Sequence, residues 1–288
     1  LAYSSPTRLC LHIIGLPEKI KIKEKEVKGP KAGVSENIIQ GFIKSHNMSD
    51  KDLFKKETEK GEFYFLKISE KNILVEDLLI DIVPKTISSI SWKKSMKWST
   101  NNLIWGRPLR SIFALFNGKK LPFKLQHLDS TDIIIVEQDL VSKSRKVKSF
   151  KEYSSFLKEN KIIFDQNERQ KIILKRFISV SNSKNYKERY NQYLLEEVVN
   201  IVENPNVLLV SFDKEYLKIP EEIIISTIEK HQKYFPLFDS RGKLTNHFFV
   251  VANKKDEKKL ISEGNKRVVD ARLADAKFFW EKDRSKNL

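Results

Sequence analysis

The residues with the best claim to chemistry sit in KHQKYFPLFD, Lys230–Asp239, where a histidine lies between lysines ahead of an aromatic run around Pro236. An imidazole in that setting is a candidate acid–base group, and Lys230 and Lys233 are candidates for phosphate. A second concentration is SKSRKVKSFK, residues 142–151, which offers Lys143, Arg145, Lys146 and Lys148. Lys97, Arg107 and Arg110 precede it, and Arg267 and Arg272 follow near the end. All are cations suited to a polyanion, and the planar guanidinium matches phosphate better than an ammonium does.

Helical phase weighs against catalysis at His231. Ile224, Ile228, His231 and Phe235 fall at i, i+4, i+7 and i+11, a single stripe of one helix. The spacing predicts a core-edge histidine hydrogen-bonded to backbone, with Lys230 and Lys233 at other azimuths, in reach of solvent. Near the C-terminus, Val269, Leu273, Ala276 and Trp280 form another stripe with Arg272 beside it. Arg272 is expected either to pair with Asp275 three residues on, or, with Arg267, to face a polyanion or a partner chain.

Catalytic signatures are missing from the sequence. It has no GxxxxGK loop, no GxGxxG and no HExxH, and its five histidines (12, 46, 127, 231, 247) are scattered. These motifs would cradle phosphates or bind zinc. With one cysteine, Cys10, neither an internal disulfide nor a cysteine-rich zinc site can form. No catalytic group, metal site or cofactor site is therefore assigned within the chain.

Composition points the same way. The formal charge is +16, from 54 Lys and Arg against 38 Asp and Glu, a balance that suggests a polyanionic partner. Lysine outnumbers arginine 43 to 11 alongside abundant Ile and Asn, the bias of AT-rich codons, so the arginines carry more information than the lysines. Residues 101–200 hold 19 basic and 11 acidic residues, a net +8. No apolar run approaches the roughly 18 residues of a membrane span, and the single thiol fits a cytoplasmic setting. The chain begins at Leu1 rather than methionine, which suggests a piece of a longer protein.

The elements that must position these cations read as an α+β chain of mixed and antiparallel sheets with packed helices. Residues 8–33 read as paired strands, and a short helix follows with Ser35 as N-cap and Ile38, Ile39 and Phe42 on one face. Residues 61–69 read as a strand, and 75–90 as a helix that passes Pro84 only with a kink. A helix is expected from Pro108, with Leu109, Ile112, Phe113 and Phe116 inward and Gly118 closing it. Arg107 and Arg110 would then sit at a helix start, where backbone N–H groups favour anions. Strands follow at 121–125 and 132–138, and helical texture runs from 149 to about 202. A strand at 206–212, a helix from Pro220, a hairpin over 234–252 turning at Asp239–Gly242, and a helix over 266–284 capped by Asn265 complete the reading. The expected division is an α+β part over 1–148, a helical segment over 149–204 and an α+β continuation over 205–288.

IPEEIIISTIEKHQKYFPLFDSRGKL, FFVVAN and GNKRVVDARLADAKFFWEKD, with SSPTRLCLHIIGL, VKGP and MKWSTNNLIWGRPLRSIFALF upstream, resemble the β subunit of bacterial heterotetrameric glycyl-tRNA synthetase in the same order over essentially the whole chain. Residues 126–142 depart from that family's pattern. The resemblance implies a fold similar to the editing-type domain of phenylalanyl-tRNA synthetase, and partners tRNA(Gly), an α subunit and a second β subunit in an α2β2 tetramer. It also implies that ATP, with magnesium, is used by the α subunit. Tyr234-Phe235-Pro236 becomes a helix-to-hairpin junction of an RNA-handling subunit. Hydrolytic editing of misacylated tRNA and a purely structural scaffold are the alternatives.

Overall fold

The computed structural model describes residues 1–98, 102–138, 141–187 and 189–285. Positions 139 and 140, part of the stretch 126–142 that departs from the resembled family, lie outside the described residues. The architecture is α+β: among the described residues, seven α-helices accompany sheets of two to four strands. The chain forms two units. One holds Ile13–Ile135 with Ser144–Ser149; the other holds Leu1–His12, Val136–Lys143 and Phe150–Leu288. The first twelve residues thus group with the C-terminal half.

In the unit built on Ile13–Ile135, the strands foreseen in residues 8–33 form, but not with one another. Arg8–Leu11, in the other unit, pairs with Ala2–Ser5. Lys19–Ile22 pairs with Lys71–Leu74, and Lys25–Lys31 with Gly61–Ile68. Pro6-Thr7 turns Arg8–Leu11 tightly back on Ala2–Ser5, whereas Lys19–Ile22 and Lys25–Lys31 find their partners far along the chain. Helix α1 (Glu36–Ser45) starts after Ser35, whose carbonyl, not its hydroxyl, accepts from the first turn. Its inward residues are Ile39, Phe42 and Ile43, while Ile38 is 52% exposed, a one-residue rotation from the expected face. Helix α2 (Val75–Ser88) runs four residues past Pro84. It lays Leu79, Ile80, Val83 and Ile87 on a core of Leu103, Ile112, Leu121, Phe123 and Leu125.

The helix expected from Pro108 does not form. Ile112–Phe113 is a short strand that runs parallel to Ser130–Thr131, and Leu115–Phe116 turns back on Lys119–Lys120. Asn117 and Gly118 both have positive φ, 49° and 75°, the signature of a two-residue type I′ hairpin turn. Asn-Gly therefore prevails over the apolar spacing, and Gly118 turns a hairpin rather than ending a helix. Ile112 still reaches the core and Leu109 and Phe116 pack on it.

In the other unit, a four-stranded antiparallel sheet runs in the order Tyr186–Lys187, Phe235–Asp239, Leu244–Ala252, Asn206–Ser211. Strand alternation sends successive residues to opposite faces. On one face Val207, Phe235, Leu237 and Phe249 pack against Ile173 and Phe177 of helix α4 and Leu194, Leu195, Val198 and Val199 of helix α5. On the other, Val210, Phe238, Phe248 and Val250 meet Ile224, Ile228, Val269 and Leu273. The helices are α3 (Phe150–Glu159), α4 (Gln166–Lys184), α5 (Gln192–Ile201), α6 (Glu221–Ser226) and α7 (Leu260–Arg284). Both faces of the 244–252 strand are covered.

Two helix ends are placed by side chains. Asp165 caps α4 by accepting from the Asn167 amide at 2.8 Å. Helix α7 begins at Leu260, ahead of the expected cap at Asn265, because Asp256 accepts from the amides of Ile261 and Ser262 at 2.9 and 2.8 Å. Asn265 instead lies in the second turn, giving its amide to the Ile261 carbonyl and accepting from the Tyr234 hydroxyl. One buried cation organises the start of α4. Arg169, fully buried, donates to the carbonyls of Val199, Ile163 and Ser4 at 2.9, 2.7 and 2.7 Å.

Candidate nucleic-acid interface

His231 does not take the place its helical phase suggests. After α6, residues Thr227–His231 open into a wider π-type turn, which breaks the 3.6-residue phase. Ile224 and Ile228 are buried, but His231 is exposed and its ring makes no hydrogen bond among the described residues. Phe235 lies in the cluster on the opposite face of the sheet. The turn closes with Lys233 at φ 60° and the Tyr234 amide donating to the Ile228 carbonyl at 3.0 Å. The expected core-edge histidine, bonded to backbone, is therefore corrected. Among the described residues its ring has no orienting hydrogen-bond partner.

The two lysines beside it differ. Lys230 is exposed. Lys233, expected to be free for phosphate, lies 2.8 Å from Glu197 in α5. Burial raises the pKa of the neighbouring Glu229 carboxyl, an effect opposed by the Asn191 hydrogen bond and the charges of Arg189 and Lys230. On α7, Arg267 and Arg272 are both exposed, and the expected Arg272–Asp275 pair is absent among the described residues. Five residues apart on a helix, the two arginines point about 140° away from each other, so they do not form one patch. Lys266 takes the local acidic partner, Asp270, at 2.5 Å.

The 142–151 cluster lies on and after an extended strand, Val141–Lys146, whose residues are all exposed. Lys143, Arg145, Lys146 and Lys148 are exposed with it. Lys146 is occupied by Asp132 at 3.0 Å, and its hydrogen bond holds that carboxyl below the usual carboxylate range. The same strand crosses from one unit to the other, with Lys143 in one and Arg145 in the other.

Arg107 and Arg110 are exposed, but the helix start that would have aimed amides at an anion beside them is absent. Lys97 is exposed on a small ribbon where Met96–Lys97 pairs with Ile104–Trp105. Arg107 and the neighbours of Lys97, Met96 and Trp98, line one small cavity. The structure thus brings Arg107 and the ribbon of Lys97 together. Lys93, Lys94 and Trp98, which surround them in sequence, were not singled out by their spacing. Among the described residues, no group of three His, Cys, Asp or Glu side chains is arranged to hold a metal ion. Nor is any helix there long and apolar enough to cross a membrane.

Fold and charge define an α+β chain with many exposed cations. Comparison with known proteins narrows this. A model of the family described as glycyl-tRNA synthetase beta subunit matches residues 1–288, and the chain belongs to that family. It is 37% identical over its whole length to the glycine–tRNA ligase beta subunit of Clostridioides difficile (strain 630), covering 43% of that relative. It is 35% identical to the protein of the same name from Rickettsia canadensis (strain McKiel), with 99% of this chain and 43% of the relative covered. The Dictyoglomus turgidum (strain DSM 6724 / Z-1310) counterpart is 35% identical, with 98% and 42% covered. The chain spans less than half the length of these relatives.

Proposed function

We propose that this chain is the tRNA-binding and assembly region of a glycine–tRNA ligase β subunit. It supports ATP-dependent ligation of glycine to tRNA(Gly), and the ATP- and magnesium-dependent activation of glycine takes place on a partner α subunit in an α2β2 assembly in the cytoplasm. The observation that carries this reading is membership of the β-subunit family joined to a formal charge of +16, with Lys97, Arg107, Lys230, Arg267 and Arg272 exposed and not held by a carboxylate among the described residues. Duplex RNA is met mainly through phosphates, 2′-OH groups and shape, which such scattered cations serve. Similarity to the editing-type domain of phenylalanyl-tRNA synthetase is part of the proposal as a fold and not as an activity. Glycine has no smaller competitor, and larger side chains are rejected by clash, so hydrolytic editing answers no need here.

A scaffold role toward the α subunit is supported by apolar residues left in water. Phe278 and Phe279 of α7 are 59% and 60% exposed, and Leu9 and Leu11 of the N-terminal hairpin 60% and 70%. The test is a salt titration of tRNA binding by the full-length subunit. Phosphate contacts require affinity to fall steeply with salt, linearly on logarithmic axes. Affinity that is flat between low and high salt overturns the RNA reading and leaves assembly as the role.

A further inference from the structure

Between Asp81 and Asp129 the chain carries no carboxylate. Residues 82–128 contain nine Lys and Arg, no Asp or Glu, and three of the four tryptophans, Trp92, Trp98 and Trp105. The tryptophans come together at the ribbon formed by Met96–Lys97 and Ile104–Trp105. Trp92 packs against Trp105 with ring centroids 4.8 Å apart at 60°. Gly106 makes room for it, since a Cβ there would stand 2.8 Å from Trp92 Cε3. Trp92, Trp105 and Gly106 thus brace one another beside the paired strands.

Trp98 is the exception among the three. It lines a small cavity with Met96, Leu103, Trp105 and Pro108, yet is 55% exposed. The indole therefore has apolar support on one side and water on the other. Lys93, Lys94 and Lys97 precede it within five residues and Arg107 lines the same cavity; all four are exposed, and none has a carboxylate partner among the described residues. A large aromatic face in water, on a short segment of unneutralised cations, suits a ligand with both a π surface and a negative backbone. Bases in a duplex are already stacked on each other and present no free face, whereas unpaired nucleotides do. Sequence-tolerant single-strand sites are built in this way, from aromatic platforms and a basic surround. A protein partner would have to bring carboxylates for each of these cations.

We propose that Trp98 is a stacking platform for an unpaired nucleotide of an RNA strand, with Lys93, Lys94, Lys97 and Arg107 holding the phosphates on either side. This deepens the RNA-binding reading above and rests on it. The test uses the full-length subunit assembled with its α partner, as wild type, Trp98→Ala and Trp98→Phe, and as a Lys93→Gln, Lys94→Gln, Lys97→Gln triple variant. The probes are an unstructured single-stranded RNA of roughly a dozen nucleotides, a blunt duplex of equal length, and a tRNA transcript.

Trp98→Ala is expected to weaken single-strand binding about tenfold, with Trp98→Phe recovering most of it and duplex binding unchanged. The single strand should quench tryptophan fluorescence in the wild type and quench it less in Trp98→Phe, a readout that does not depend on the alanine variant folding. The triple lysine variant should flatten the salt dependence. Single-strand affinity and quenching that are the same in wild type and both Trp98 variants overturn the platform. So does loss of α-subunit assembly in Trp98→Ala with RNA binding intact, since Trp98 is then a protein contact. If the wild type binds tRNA but not the single strand, the platform fails while the RNA reading stands; if it binds none of the three probes, the RNA reading itself fails.

Discussion

The two units build their sheets in different ways. The unit that contains α3–α7 buries both faces of its four-stranded sheet, with Phe235, Phe248 and Phe249 all at or below 1% exposure. The unit built on Ile13–Ile135 has sheets of two or three strands. It leaves Ile14 at 74%, Ile20 at 41%, Trp98 at 55% and Ile104 at 53% exposed. A doubly covered sheet must be specified residue by residue, because a one-residue slip would turn every side chain to the wrong face. Smaller sheets bury fewer residues and leave others free for further contacts. The first unit is a frame whose exposed Leu9, Leu11, Phe278 and Phe279 lie outside its four-stranded sheet; the second holds the carboxylate-free stretch with Trp98.

The largest test of this contrast is in the frame. Phe249→Ala removes a ring stacked 4.6 Å from Phe177 and 9° from parallel with it, and should cost about 3–5 kcal/mol in chemical denaturation. Ile38→Ala on the exposed side of α1 should change stability by less than about 0.5 kcal/mol. Equal losses from the two would dissolve the distinction between the units. Next comes Arg169→Met, which keeps the bulk of the side chain but leaves three buried carbonyls without their donor. A loss of about 3 kcal/mol is expected from unsatisfied buried groups; a neutral result would show that the arginine can be replaced by packing alone.

The smallest effect concerns pH. His247 lies in the frame's sheet, its Nδ1 3.1 Å from the Tyr186 hydroxyl. Burial, and then the charges of Lys184 and Lys214, push its pKa below the ordinary 6.5. The unfolded chain therefore takes up a proton at a higher pH than the folded chain does. Stability is unaffected well above pH 6.5 and falls as pH drops through that value toward the depressed one. His247→Gln should flatten the stability profile between about pH 7 and pH 5. An unchanged slope would assign the pH dependence to other groups.

How much of this was readable from sequence follows the same division. In the frame, helical spacing predicted α4, α5 and α7 as elements, and the stripe Val269, Leu273, Ala276 and Trp280 also gave the inward face of α7, because that face meets a core. Its failures have local causes. The π-type turn at Thr227–His231 shifts the phase that put His231 inward, and Asp256 starts α7 before Asn265 is reached. In the other unit, Leu109, Ile112, Phe113 and Phe116 have helical spacing, but Asn117-Gly118 folds the chain into a hairpin. Net charge taken over a hundred residues, +8 for 101–200, averages away the window 82–128 that has no acidic residue at all. The candidate cations were legible as types; which of them carboxylates already hold, as at Lys146 and Lys233, depends on contacts no sequence interval shows.

Arg169 also sets an order of events during synthesis. Its three acceptors are Ser4, Ile163 and Val199, so the N-terminal hairpin cannot be locked until the end of α5 has left the ribosome. At about 5–20 residues per second, the hairpin waits on the order of ten seconds or more, with Leu9 and Leu11 in water. For that interval the Ser4 carbonyl waits for its donor and the hairpin stays unanchored, and it is there that a chaperone would find its handhold.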